Sequence, residues 1–276
     1  MSYEILDLDT NLNYKFNDIS FLNNCVINNN IINIKILKTP NFIENEFLSH
    51  CHKLESIDLS GLSNVTTIGD YFLSCCTNLK SIDLSPLSNV RTIGNYFLSN
   101  FWNLINIDLS PLSNVTEIES WFLSDCRNLK NIDLSPLSNV TKIGNRFLFA
   151  CFELKSIDLS PLSNVTKIGD DFLSYCTNLE SIDLSMLSNV TKIGEAFLHD
   201  CRKLESINSR GLEWFYHDKK EEYQQNYDKM IYDEMLPIRK EFMKEYGLAW
   251  ELMAVVWHPD NFYKFKYLDP DIFADI

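Results

Sequence analysis

Two residue types recur along this 276-residue chain at a spacing that invites a chemical reading. Cysteines stand at Cys51, Cys76, Cys126, Cys151, Cys176 and Cys201, every 25 residues with one step left out. Aspartates stand at Asp58, Asp83, Asp108, Asp133, Asp158 and Asp183. Thiolates ligate metals and attack electrophiles, and paired carboxylates serve as acid and base. Neither spacing suits those tasks. Zinc sites draw on close pairs such as CxxC. If the repeats stack about 4.8 Å apart, the cysteine Cβ atoms also lie too far apart for a disulfide. The column therefore reads as small, buried, free thiols. Cys25 and Cys75 lie off it, and Cys75 beside Cys76 reads as one exposed and one buried thiol.

Catalytic carboxylates need unlike surroundings that push their pKa values apart, whereas a repeat supplies alike ones. Each aspartate falls between two inward residues, so the file points outward. Neighbours about 5 Å apart in water repel by about 0.8 kcal/mol before screening. Ser60-type hydroxyls, solvent cations or a basic ligand must offset this. The file is either a hydrogen-bonded ladder or a surface for cations or a basic partner.

Asn64, Asn89, Asn114, Asn139, Asn164 and Asn189 make a third column, and five of them spell a glycosylation sequon. The motif repeats because a turn repeats, and Asn suits turns. His50 and His52 flank Cys51 on a short turn and make a poor metal case. No GxxxxGKS/T loop, GxSxG elbow or HExxH helix occurs. The expectation is a chain that is not an enzyme, with no catalytic residue, metal, cofactor or evident small-molecule substrate.

The elements that carry these columns follow one unit, I-D-L-S-P-L-S-N-V-T-K-I-G-x-x-F-L-x-x-C-x-x-L-x-x. Self-similarity at a fixed period of this size marks a solenoid, because one coil cannot bury its own apolar edge. I-D-L-S alternates as a short half-buried strand does. Pro86, Pro111, Pro136 and Pro161 end it. F-L-x-x-C-x-x-L sets Phe72, Leu73, Cys76 and Leu79 on one helical face. A worn copy places Ile32, Ile34, Leu37, Ile43, Phe47, Leu48, Cys51 and Leu54 on the same columns.

"IGDYFLSCCTNL" (68–79) and "IGNRFLFACFEL" (143–154) make the unit resemble the BspA-like leucine-rich repeat. The resemblance spans about 31–212 and implies protein recognition, with surface adhesion known in some members. The expected fold is an α/β solenoid of 25-residue coils, each a short parallel strand plus a short helix, with a small all-α C-terminal region. The expected divisions are 1–30, an N-terminal cap or degenerate repeat; 31–212, the solenoid; and 213–276, a helical cap or interaction module. The last segment is rich in aromatics, including Trp214, Trp250 and Trp257.

Columns that vary between coils are where a partner could be discriminated. One reads Tyr71, Tyr96, Trp121, Arg146, Asp171, Ala196, and another Thr77, Trp102, Arg127, Phe152, Thr177, Arg202. Trp102, Trp121, Arg127 and Phe152 belong to neighbouring coils and form a candidate partner-binding patch, together with the aspartate column. Drift on a tolerant outer turn is the alternative.

The net charge of -14 is spread along the chain and disfavours nucleic acid or an anionic lipid surface as partner. The opening MSYEILDLDTNLNYKF lacks the features of a secretory signal. The densest apolar stretch, 252–257, is too short to span a membrane. These features lead to a cytoplasmic protein, with a virion component as the other possibility. The Asn and Ile bias is that of an AT-rich genome such as a giant DNA virus or an amoeba. The leading expectation is a non-catalytic protein-protein scaffold. The alternatives are a surface or virion attachment protein and a substrate adaptor that recruits through its C-terminal helices.

Overall fold

The computed structural model describes residues 3–17, 22, 23, 26, 31–38 and 40–208. The chain opens with a hairpin of β1 (Tyr3–Asp7) and β2 (Leu12–Phe16), and β1 also pairs antiparallel with β3 (Asn33–Lys38). β3 then pairs parallel with β5 (Ser56–Asp58), which hands the hairpin's sheet on to the coils. Ile34 sits opposite Ile57, an offset of 23. From Ile43 opposite Ile68 the offset is 25. The worn copy therefore holds the expected columns from Ile43 onward. Its strand is shifted by two residues, with Ile34 in the place expected for Ile32.

The main parallel ladder lies where no strand was expected, at the V-T-K-I segment. Its two-residue strands are β4 (Phe42–Ile43), β6 (Thr67–Ile68), β7 (Thr92–Ile93), β8 (Glu117–Ile118), β9 (Lys142–Ile143), β10 (Lys167–Ile168) and β12 (Lys192–Ile193). They form two sheets, β4-β6-β7 and β8-β9-β10-β12. The I-D-L-S segment pairs as a regular strand at β5, at β11 (Ser181–Asp183) and at β13 (Ser206–Asn208). Each S-P-L segment winds into one 3₁₀ turn, such as Ser85–Leu87, with its proline where the missing N–H is not needed.

The expected helix in each coil is absent: among the described residues of the coils, 40–208, none is in an α-helix. The F-L-x-x-C segment is instead a run of turns in which alternate residues are left-handed. Tyr71, Leu73 and Cys75 have φ of 62°, 51° and 62°, and the same three columns repeat this in the following coils. The reason is hydrogen bonding. The amide of Leu73 donates back to Phe47 O at 2.9 Å, while those of Tyr71 and Cys75 donate forward to Asn95 O and Ser99 O at 2.8 and 2.9 Å. A helix would turn its amides inward along its own axis. Alternating handedness turns them up and down the stack, so bonds to both neighbours offset a left-handed cost of about 1–2 kcal/mol per residue.

Inside, the columns stack. Phe72, Phe97, Phe122, Phe147 and Phe172 are buried, with successive ring centroids 5.4 to 5.7 Å apart and nearly parallel. The cysteine column lies beside them. Cys76, Cys126, Cys151, Cys176 and Cys201 each point a thiol at a leucine carbonyl of an earlier coil, for example Cys151 Sγ to Leu123 O at 3.3 Å. Burial pushes the thiols of Cys51, Cys126 and Cys176 up to about 12, and raises those of Cys76, Cys151 and Cys201 well above the ordinary value. These are free, inert core thiols, and Cys75 is half-buried. Cys25 lies outside the described residues, as does 209–276, and with it the expected C-terminal helices.

Candidate interaction surface

Two side-chain ladders hold the coils in register and so position everything exposed. In one, a side-chain oxygen accepts the amide of the next coil: Asp70 N–H to Asn45 Oδ1 at 2.9 Å, Asn95 to Asp70 Oδ1 at 2.7 Å, Ser120 to Asn95 Oδ1 at 3.1 Å. Asn145, Asp170 and Glu195 continue it at 3.2, 2.9 and 2.9 Å. The D/N/S residue two places after the isoleucine, in I-G-x and in the I-E-x of Asn45 and Ser120, was the signal for this ladder. In the other, Asn89, Asn114, Asn139, Asn164 and Asn189 each donate Nδ2 to the serine carbonyl of the preceding coil, at 2.8 to 3.1 Å. The sequon asparagines thus serve the turn, bonding across coils.

The aspartate column faces outward. Each Oδ1 accepts the amide of the serine two residues on, at 2.8 Å for Asp58, Asp108, Asp133, Asp158 and Asp183 and 2.9 Å for Asp83. The carboxylates therefore hold the entry to each 3₁₀ turn. Lys35 Nζ stands 2.7 Å from Asp58, and with the Ser60 amide it lowers that carboxyl to about 2. Ser110, Ser135 and Ser185 hold Asp108, Asp133 and Asp183 below the usual range in the same way. Asp83, Asp108, Asp133, Asp158 and Asp183 remain exposed.

The four expected aromatic and arginine residues separate into two groups. Arg127 lies between Trp102 and Phe152, its guanidinium carbon 4.8 and 5.7 Å from their ring centroids. Arg127 Nη2 is 3.5 Å from Asp125 Oδ1, and burial raises the Asp125 carboxyl despite that arginine. Trp102 is 41% exposed and Ile105, three residues on, 50%. Trp121 stands in another column, stacked on Tyr96 at 4.9 Å, and Tyr96 on Tyr71 at 4.3 Å. Arg146 closes that run, 4.0 Å from the Trp121 ring centroid and 5.1 Å from that of Phe149, with Nε 3.0 Å from Asp171 Oδ2. Phe149, which the column analysis passed over, also tilts against Tyr175 at 5.2 Å.

Elsewhere, a cavity of about 230 Å³ is lined by Val26, Ile31, His50, Cys51, His52, Lys53 and Leu54. The His50 and His52 rings meet edge to face, with centroids 5.9 Å apart. Among the described residues no three metal-binding side chains converge, and no helix is long and apolar enough to cross a membrane.

A family model described as the BspA type leucine rich repeat region matches residues 19–137 and 106–213, in six copies. A leucine-rich repeat protein of T. pallidum is 21% identical, with 63% of this chain and 84% of that one covered and a TM-score of 0.48. A leucine-rich cell surface protein of Faecalibacterium prausnitzii is 18% identical over 66% and 62%, with a TM-score of 0.40. A leucine-rich repeat protein of Eubacterium ventriosum is 21% identical over 57% and 42%, with a TM-score of 0.38. The match thus spans less than two thirds of the second and third of these chains. No curated protein matches the sequence.

Proposed function

Because the chain belongs to the BspA-type leucine-rich repeat family, we propose that it is a non-catalytic scaffold that recognises a protein partner through the outer side chains of its solenoid. Proteins with such repeats generally serve protein-protein interaction or surface adhesion. The observation that carries the reading is the Trp102–Arg127–Phe152 sandwich. A repetitive surface displays tryptophan and arginine there, the residues most enriched at interaction hot spots. Arg127 is already held by two rings and Asp125, so little side-chain freedom is left to lose on binding. The exposed aspartate column favours a partner with basic side chains facing it.

The test is affinity purification from the source cell with three baits: the full chain, a Trp102→Ala/Arg127→Ala chain, and one lacking 213–276. A protein held by the first and third baits but lost by the second supports the reading. A partner indifferent to the double substitution refutes it. A partner lost only with 213–276 supports the adaptor role instead. Fractionation of the source cell distinguishes a cytoplasmic scaffold from an attachment protein on a cell or virion surface, and sequencing of the source genome tests the giant-virus origin.

A further inference from the structure

The strand ladder has a seam at one place, between β7 and β8. The residue that differs there is Glu119. It stands in a column that the other full coils fill with Gly69, Gly94, Gly144, Gly169 and Gly194, while the worn first copy carries Glu44 there. These glycines lie against the preceding coil. A Cβ on Gly94 would stand 2.5 Å from Asp70 Oδ1 and 2.6 Å from its amide nitrogen, and one on Gly144 would stand 2.7 Å from Ser120 N. Real Cβ atoms do not come so close, so a side chain in this column must push its coil off the one before.

The hydrogen bonds record that displacement. The amides of Arg91, Thr141, Thr166 and Thr191 each donate to the carbonyl 25 residues earlier at 2.9 Å. Among the described residues, Thr116 makes no such bond to Arg91. The Glu119 carboxylate leans the other way, 3.9 Å from Lys142 Nζ of the following coil, where Glu117 also reaches it at 3.2 Å. The turn flank of the same two coils stays joined. Leu123 N–H donates to Phe97 O at 3.0 Å, Tyr96 to Ser120 O at 2.8 Å and Asn100 to Ser124 O at 2.7 Å. The Phe97 and Phe122 rings stack across the seam at 5.6 Å.

We propose that Glu119 builds a joint into the solenoid: strand pairing is lost between Ile93 and Ile118 while the bonded turn flank acts as the pivot. The side-chain bonds Asn114 Nδ2 to Ser88 O and Ser120 N–H to Asn95 Oδ1, both 3.1 Å, still bracket the gap. The Cβ of Glu119 holds the strand flank apart, and its charge plays no part in that. Trp102 and Arg127 lie on opposite sides of the joint but beside its pivot, where Asn128 Nδ2 donates to Trp102 O at 2.8 Å and keeps the pair together. The proposal rests on the coil geometry alone and stands whether or not the surface binds a protein.

Amide hydrogen exchange in the folded full chain tests it, with Thr116 compared against Thr141 and Thr166 in wild type, Glu119→Gly, Glu119→Ala and Gly144→Glu. In wild type Thr116 should exchange at least tenfold faster than the other two. Glu119→Gly should slow Thr116 to within about threefold of them. Glu119→Ala, which keeps the Cβ and removes the charge, should leave it fast. Gly144→Glu should open a second joint and speed Thr141 at least tenfold. Equal protection of Thr116 and Thr141 in wild type would overturn the joint, and so would an alanine variant that closes as fully as the glycine one. If Gly144→Glu does not fold, the glycine and alanine variants decide the matter alone.

Discussion

Raising the pH should unfold this protein through its buried thiols. In the native stack Cys51, Cys126 and Cys176 hold their protons up to about 12, and Cys76, Cys151 and Cys201 are raised as well. In the unfolded chain each thiol titrates near about 8.5. Above that pH the unfolded chain sheds protons that the folded one keeps, so unfolding releases protons and alkali favours it. The thiols' contribution is complete below about pH 8.5 and drains away as the pH climbs toward 12. Each thiol loses about 1.4 kcal/mol per pH unit, so six lose about 8 kcal/mol per unit. By pH 10 the loss is about 12 kcal/mol, comparable with the whole stability of an ordinary domain at about 5–15 kcal/mol. Thermal melts followed by circular dichroism between pH 8 and 10 should show a steep fall in Tm, with spontaneous unfolding near about pH 10. Thiolate absorbance should appear together with unfolding. A Cys126→Ala/Cys176→Ala chain starts from a lower Tm but loses about a third of the slope. A flat Tm over that range, or thiolate signal growing while the fold persists, would refute the reasoning.

Phe147→Ala removes a buried ring stacked on both sides, at 5.7 and 5.4 Å. It should cost about 4 kcal/mol in urea unfolding, whereas Phe147→Leu, which fills most of the space, should cost less than half of that. Ala196→Gly relieves a left-handed residue at φ 54° and should stabilise by about 0.5–1 kcal/mol, measured as a rise in urea midpoint at unchanged slope. Asp58 has a folded value of about 2, below the unfolded value of about 3.9, so its contribution is present above about pH 4 and is lost as pH falls toward 2. With its side chain 39% exposed, screening holds this under about 1 kcal/mol, and Lys35→Ala should remove most of the acid dependence in that window.

What the sequence makes legible is what periodicity controls. The buried thiols, the stacked phenylalanines and the outward aspartates all follow from a period of 25 and the rule that coils share one core. The helix was misread because Phe72, Leu73, Cys76 and Leu79 fit a helical stripe equally well. Nothing about Tyr71, Leu73 or Cys75 as residue types favours a left-handed backbone, and bonds to neighbouring coils impose it. The β6-type strands are two residues long, too short for alternation to register. Trp102 and Trp121 looked like one patch because coil neighbours were known but positions around the coil were not. Their separate columns were legible in the repeat; the different ring and guanidinium neighbours that the turns give each were not.

The ladders that bind each coil to the next repeat every 25 residues, and this bears on how such a molecule changes length. Apart from the strand bonds missing before the Glu119 coil, donors on one face of a coil match acceptors on the next coil whichever copy supplies them. Excising one whole unit from the gene would bring Asn, Asp or Ser side chains of the flanking copies into the same contacts, and the shortened stack would reseal. Losing one residue fewer would misalign the phenylalanine, cysteine and asparagine files together. Tandem slippage during DNA copying therefore offers this protein a graded set of viable lengths, each lengthening or shortening its outer face by one increment.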